Sequence, residues 1–450
     1  MSKLTDGSQE LKKTLGPFML WGLGVGYVIS GNYFGWNLGL PEGGTLGAAI
    51  AILFIIIMYV TFTFSYTEMA CAIPKAGGAF SYAERGLGKD LGFLAGMSQN
   101  IEFIFAPPAI ASAIGAYFSI FFPNLEVLWI GIFAYFIFTG LNIAGIQLAA
   151  SFELFITIIA VLGLLFFAGI TLPEFQFENL KSNAFPNGYW GIVAAIPFAI
   201  WFFLAIEGVA NVAEETINPQ KNILIGFGTA LLTLVILCLL TFSSAIGVNG
   251  WEAIVYPAES MVASDSPLPM AVEMVVGQSH YFYQLLTFIA LFGLVASFNG
   301  IILAAGRATF EFGRVGYAPK AFGKVNGQFK TPANALLFNM VIGIVALLTG
   351  KTGEIITIAV FGALGLYILS MVSFFYLRKK EPNLHRPFKV PYYPLFPAVA
   401  LIIASISLVA MIMYNQMLAL LFFAMLLGSY LFFRLFIYDS KDLKYEKEQG

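Results

Sequence analysis

The sequence predicts an all-α integral membrane protein of about twelve transmembrane helices, two of them discontinuous. Three observations predict it. Apolar residues make up 59% of the 450-residue chain and charged residues 11%, which leaves too little polar surface to hold a chain of this size in water. The apolar residues come in continuous runs of about 20, the length a helix needs to cross the hydrocarbon core, whereas a membrane β-barrel would show alternation. Two of these runs are interrupted, one by glycines and polar groups, the other by an acid beside a glycine.

In chain order the runs cover residues 16–40, 45–66, 91–121, 127–145, 150–172, 190–212, 223–247, 281–306, 333–349, 354–377, 393–414 and 416–437. The third contains Pro107-Pro108, where a kink is expected in preference to two helices. The charge distribution supports the count. With twelve spans, all of the 23 Lys and Arg residues except Lys181 and Lys351 fall on the side of the two termini, from Lys3, Lys12 and Lys13 to Lys441, Lys444 and Lys447. The opposite loops carry acids such as Glu174, Glu178, Glu252, Glu259 and Asp265. Both termini are therefore expected in the cytoplasm of a multi-pass protein of the cell (plasma or inner) membrane. The polar stretch Met1–Lys13 shows no cleavage site, so no removable signal peptide is expected. Arg307–Lys330 mixes basic residues with Phe310, Phe312 and Phe322 and reads as a short amphipathic helix on the inner membrane surface, or as a plain basic loop.

The first interruption lies in Trp21–Asn37. Gly22, Gly24, Gly26, Gly31 and Gly35 each weaken a helix by roughly 1 kcal/mol relative to alanine, and Ser30 and Asn32 add polar groups. Gly22, Gly26 and Ser30 recur every four residues, so the first half is expected to pack against a neighbouring helix and the break to begin near Ser30. The second lies in Pro197–Gly208, where Glu207 and Gly208 sit at mid-depth. Interrupted segments at matching places in two halves point to the binding site of an inverted-repeat transporter, because a break frees backbone N–H and C=O groups for a solute. Spans one to five (16–172) form the first repeat, six to ten (190–377) the second, and the last two (393–437) are additions, all within a single domain, 1–450.

Glu102, Glu153 and Glu207 lie inside predicted spans, and no Lys or Arg lies deep in any. A charge at the bilayer centre costs ~2.5–3.5 kcal/mol on insertion scales. These acids are therefore protonated, face water near a membrane surface, or bind a cation. Glu207 follows Trp201 by six residues, roughly 9 Å along an intact helix, an arrangement that suits an ammonium group through cation–π attraction; the alternative is an acid bonded to backbone at the break. Glu102 either meets solute or bonds a neighbouring helix in its protonated form. Glu153, near a span end, is expected to be solvated or structural. Trp201 either gates the site or packs.

In order along the chain, several motifs resemble the amino acid–polyamine–organocation transporter superfamily. Ile29-Ser30-Gly31-Asn32-Tyr33-Phe34 resembles its unwound Gly-Ser-Gly-Ile-Phe segment. Glu68, Pro74, Gly77-Gly78 and Tyr82 follow its pattern after the second span. Ala205-Ile206-Glu207, Ala213-Glu214-Glu215, Asn218-Pro219 and Lys221-Asn222-Ile223 are similar to its sixth-span signature, and Arg386–Pro391 to its loop before span eleven. Ser30–Asn37 and Phe105–Ala111 look most like ethanolamine permeases, although Asn32 stands where those relatives tend to carry Glu.

The resemblance implies a LeuT-like fold of five plus five inverted helices with two appended, working by alternating access. It implies that Trp201 closes over the solute. Many relatives carry a span-five lysine that stands in for a sodium ion; the corresponding position falls near Ile159-Ala160, so lysine-based coupling is not supported. Ser297 in span eight is a candidate ion-coupling residue, or a helix–helix hydrogen bond.

The candidate substrate site is thus Ile29, Ser30, Gly31, Asn32, Tyr33, Glu102, Trp201, Ala205 and Glu207, serving a secondary transporter that imports a small amine, first of all ethanolamine; the alternative is a small neutral amino acid. The partners expected are that solute, the lipid bilayer and a coupling proton or sodium ion. The formal net charge of −2 argues against nucleic acid. Cys71 and Cys238 suggest neither a disulfide framework nor a metal cluster, and no cofactor is expected. His280 and His385 are too far apart in sequence to suggest a membrane-embedded enzyme. A passive channel would not accumulate solute uphill.

Overall fold

In the computed structural model, residues 13–438 are described apart from Ala76, Ala258 and Glu259. Lys3, Lys12, Lys441, Lys444, Lys447 and Glu259, used in the charge partition, lie outside the described residues. Among the described residues the chain is helical, with a single isolated bridge between Leu15 and Thr216.

The first half comprises α1 (Pro17–Val28), α2 (Ser30–Tyr33), α3 (Leu40–Ala72), α4 (Ala79–Leu87), α5 (Lys89–Ser119), α6 (Val127–Ala144) and α7 (Ile146–Thr171). The second comprises α8 (Gly188–Trp201), α9 (Pro219–Asn249), the short α10 (Trp251–Val255) and α11 (Pro267–Val276), α12 (Tyr281–Val315), α13 (Ala333–Leu347) and α14 (Thr352–Lys380), followed by α15 (Leu395–Tyr414) and α16 (Gln416–Phe432). Among the described residues, ten helical segments are long and apolar enough to cross a membrane, so this is a multi-pass membrane protein. The other two expected spans coincide with α1, of 12 residues, and α13, of 15. At 1.5 Å per residue these rise only about 18 and 22 Å, less than the ~30 Å core. α5 runs unbroken through Pro107-Pro108.

α5 and α12 lie against each other at the centre; α5 also packs along α14, and α12 along α7. Around them α1 packs on α9, α3 on α8, α6 on α5 and α13 on α12. α16 buries only Ala419 and Phe422 among its residues. Polarity is arranged as lipid demands. Phe133, Phe136, Leu162, Leu232, Val345 and Leu420 point outward, whereas Tyr33, Tyr59, Tyr117 and Tyr367 are fully buried. Burying phenols inside and apolar chains outside reverses the usual soluble pattern, because a hydroxyl in hydrocarbon has no partner whereas a helix interface supplies one.

Three expectations are corrected. Arg307–Lys330 is not a surface helix: α12 continues through Arg307 to Val315, stops at left-handed Gly316, and residues 317–332 form turns. A base therefore does lie inside a long apolar helix. Buried Arg307 pairs through Nη2 with Glu215 Oε1 at 2.7 Å, and this pairing lets the helix carry a charge that ended the span at residue 306 in the sequence. Glu153 is not solvated; it is 1% exposed inside α7.

Motifs far apart in sequence meet in space. Glu68 on α3 binds Arg378 Nη2 at 2.6 Å and Arg386 Nε at 3.1 Å, and accepts the Val390 N–H at 2.8 Å. Leu15 and Thr216 lie side by side, with the Leu15 N–H on the Glu215 carbonyl (3.0 Å) and the Ile217 N–H on the Leu15 carbonyl (2.9 Å). The lead into α1 is thus clamped to the end of the second interrupted segment.

Candidate substrate site

The first interruption is built by insertion. In an intact helix the Ser30 N–H would bond the Gly26 carbonyl. Here the Ser30 N–H donates instead to Ser297 Oγ of α12 at 2.8 Å, and the Ser297 hydroxyl donates to the Gly26 carbonyl at 2.7 Å. A side chain has entered the ladder, one of the recognised causes of a helix break. Ile29 joins α1 to α2, and the chain leaves the helix at extended Phe34 and at Gly35, whose φ is +87°. A residue with a Cβ at 35 would be strained and would collide with the Trp201 indole. The four-residue face is used as expected: Gly22 lies against Leu154, and Gly26 against Glu153 and Thr157, all on α7. Tyr33 donates to the Ala160 carbonyl at 2.7 Å, and Tyr117 to the Tyr33 carbonyl at 2.7 Å. The Asn32 side-chain amide is fully buried with neither polar atom partnered among the described residues.

The second interruption is built by a bend. α8 ends at Trp201, Ala205 adopts a left-handed conformation (φ 72°), and a tighter 3₁₀ segment runs Ile206–Glu215. The Ala205 N–H, freed by the bend, donates to Glu102 Oε1 of α5 at 3.1 Å. The Glu102 and Glu207 carboxyl groups are close neighbours, and Glu102 Oε2 and Glu207 Oε1 have no other partner among the described residues. Two adjacent buried carboxylates would repel, so a proton held between them lets one donate to the other. Glu207 Oε2 accepts the Tyr367 hydroxyl at 3.1 Å, and Tyr59 Oη lies 3.0 Å from Tyr367 Oη.

Two groups result. Ser30, Gly31, Trp201 and Ser297 surround the first break: a Cβ at Gly31 would collide with the Trp201 carbonyl, and the Trp201 indole donates to the Phe34 carbonyl at 3.1 Å. A narrow cleft there is lined by Tyr27, Val28, Ser30, Trp201, Leu204 and Ile301. Glu102, Ala205, Glu207, Tyr59 and Tyr367 form the second group, joined to the first by the backbone between Ile200 and Glu207; Tyr59 Oη reaches the Ile200 carbonyl at 3.5 Å. The expected pairing of Trp201 with Glu207 along one helix is replaced, because the chain bends between them: Trp201 faces Phe34, and the ring on Glu207 is Tyr367. Tyr59 and Tyr367 were not singled out in the sequence. A lone tyrosine within an apolar span is the available signal, since its hydroxyl needs a partner there.

The family model described as amino acid permease matches residues 15–433. The chain belongs to the amino acid permease family. Among characterised and uncharacterised relatives, this permease is 28% identical over 408 residues to an uncharacterized transporter of Rhizobium meliloti (88% of this chain, 86% of the relative). It is 25% identical over 423 residues to the branched-chain amino acid permease BcaP of Bacillus subtilis, covering 88% of each chain. Over 392 residues it is 25% identical to the low-affinity putrescine importer PlaP of Escherichia coli K12, covering 83% of each.

Proposed function

We propose that this permease is a secondary active transporter that imports a small amine across the plasma membrane by alternating access, with ethanolamine as the first candidate. The observation that carries the reading is the Glu102–Glu207 pair. With one shared proton the pair holds one negative charge, and the described side chain bonded to Glu207 is the Tyr367 hydroxyl, itself paired with Tyr59, not a base. An ammonium group balances that charge and donates to both carboxyls, while the surrounding aromatic rings favour a cation. The putrescine importer among the relatives is in keeping with an amine.

The reading includes a twelve-span layout, with repeats 16–172 and 190–377 and additional helices at 393–437. The packing supports it. Exchanging each helix for its counterpart in the other half turns α1–α9 into α8–α3, α5–α14 into α12–α7 and α5–α6 into α12–α13, and all of these pairs are in contact. The distribution of basic residues supports a cytoplasmic position for both termini.

A second reading is a neutral amino acid. Its support is the cleft between the breaks, where Ser30 and adjoining backbone face Trp201, and the branched-chain permease among the relatives; a carboxylate suits backbone N–H groups at a broken helix. Thermal stabilisation of purified protein across amines and amino acids tests both. Ethanolamine is expected to stabilise, and Glu207→Gln to weaken its uptake about tenfold (~1.4 kcal/mol) while leaving protein in the membrane. If alanine or serine displaces label and ethanolamine does not, the amine reading is wrong.

A further inference from the structure

Glu153 is used by neither group above. It stands on α7 with its carboxyl enclosed by α1 and α12. Oε2 accepts the Asn299 side-chain N–H at 2.9 Å, and Asn299 is itself fixed by Asn142 Nδ2 on its Oδ1 at 2.8 Å. Oε1 has no partner among the described residues. It lies against two glycines on different helices: a Cβ at Gly26 would collide with it, and one at Gly300 would stand 2.9 Å away. These glycines hold the carboxyl in a closed seat directly behind the first break, since the Gly26 carbonyl takes the Ser297 hydroxyl.

The charged neighbours do not balance it. α1 contributes Tyr27, whose hydroxyl has no partner among the described residues; α12 contributes Asn299 and, two turns on, Arg307; the second interrupted segment contributes Glu215. Arg307 pairs with Glu215, and among the described residues the one side chain that hydrogen-bonds the Glu153 carboxyl is Asn299. A carboxylate sealed in this seat with a single donor would carry the full cost of an unpaired buried charge; a carboxylic acid would not.

We propose that Glu153 is a proton-binding site that couples solute movement to proton movement. It holds a proton while α1 lies against α7 and α12. When the Leu15–Thr216 clamp opens and α1 draws away, water reaches the carboxyl and the proton leaves. The proton is taken from one side of the membrane and released to the other, and no other bond changes. This differs from the span-five lysine of many relatives, whose position falls near Ile159-Ala160: an acid on the same helix, two turns earlier, carries the ion.

The infrared spectrum of the purified protein at neutral pH tests the proton without reference to substrate. The wild-type minus Glu153→Gln difference must show the carbonyl stretch of a protonated carboxylic acid, lost in the variant; its absence overturns the proposal. The second arm uses proteoliposomes and labelled ethanolamine. An outside-acid gradient is expected to stimulate wild-type uptake. Glu153→Gln is expected to keep exchange of external label for internal ethanolamine but lose the stimulation. A variant that still responds to the gradient, a wild type that exchanges without responding, or a response to sodium alone would each refute it. Should Glu153→Gln fail to reach the membrane, Glu153→Asp keeps an acid at a shorter reach, and a gradient response with unchanged pH dependence would count against the site. Failure to exchange ethanolamine at all sinks the amine reading and leaves the infrared result to decide this one.

Discussion

The two interruptions are bridged by different chemistry. At the first, a neutral hydroxyl stands between an N–H and a C=O that are natural helical partners, Ser30 and Gly26. At the second, a carboxyl accepts the N–H of left-handed Ala205 and lies beside the next acid along. The first break can heal, because removing the wedge lets the ladder close. The second cannot, because its N–H points out of the helix toward α5. A break that heals suits a hinge; one held open by acids suits a cation site.

The largest effect is expected where the breaks touch. Gly31→Ala drives a Cβ into the Trp201 backbone carbonyl, which cannot rotate away, so uptake is expected to vanish and stability to fall by up to about 3 kcal/mol. Gly208→Ala meets only the Tyr27 ring, at 2.9 Å, and should cost less; equal losses of melting temperature would erase the distinction. Next is Glu102→Ala, which leaves the Ala205 N–H buried and unpaired and is expected to cost ~1–3 kcal/mol. Ser297→Ala should cost less, since Ser30 and Gly26 can re-bond, yet it should still slow uptake by straightening the segment. If Ser297→Ala destabilises more than Glu102→Ala in parallel thermal melts, the healing argument fails. Tyr367→Phe removes one donor from Glu207 and is expected to cost ~1 kcal/mol and to weaken amine binding more than alanine binding.

The smallest effect concerns the loop that packs on the segment after the first break. Asn37 Nδ2 donates to the Ser264 carbonyl at 2.8 Å, and the adjacent Asp265 accepts the Thr352 hydroxyl at 2.9 Å. Burial pushes the Asp265 carboxyl from 3.8 up to about 6, against the opposing hydrogen bonds from Thr352 and Ser112. The packed loop therefore binds this proton more tightly than the open one. Its contribution is full below the unperturbed value and is lost as pH rises through about 6. Melting temperature should decline over that window, and Asp265→Asn should flatten the decline; an unchanged slope would remove Asp265 as its source.

Much of this was legible in the residues. The glycine run with Ser30 and Asn32 located one break, and the acid beside Gly208 located the other to within a few residues, because local propensity decides where a helix can fail. The partners at the breaks were legible only as candidates. Ser297 was put forward for ion coupling or a helix–helix hydrogen bond, and it makes hydrogen bonds to α1, but nothing in the residues joined it to Ser30 and Gly26; Glu153 reads as a span-end acid, because hydropathy counts a charge without knowing which helix faces it. Arg307 misled for the same reason: its charge ended a predicted span that an ion pair allows to continue.

Composition and periodicity by themselves determined that the chain lives in a membrane, roughly where it crosses, and that two crossings are flawed, since these follow from the cost of moving each residue into hydrocarbon and of fixing it in a helix. Only the tertiary structure decided that Glu102 meets Glu207, that Ser297 splices the first break and that Glu153 is sealed between two glycines. Those outcomes depend on which faces of separate helices meet, and that is settled by packing across the whole bundle.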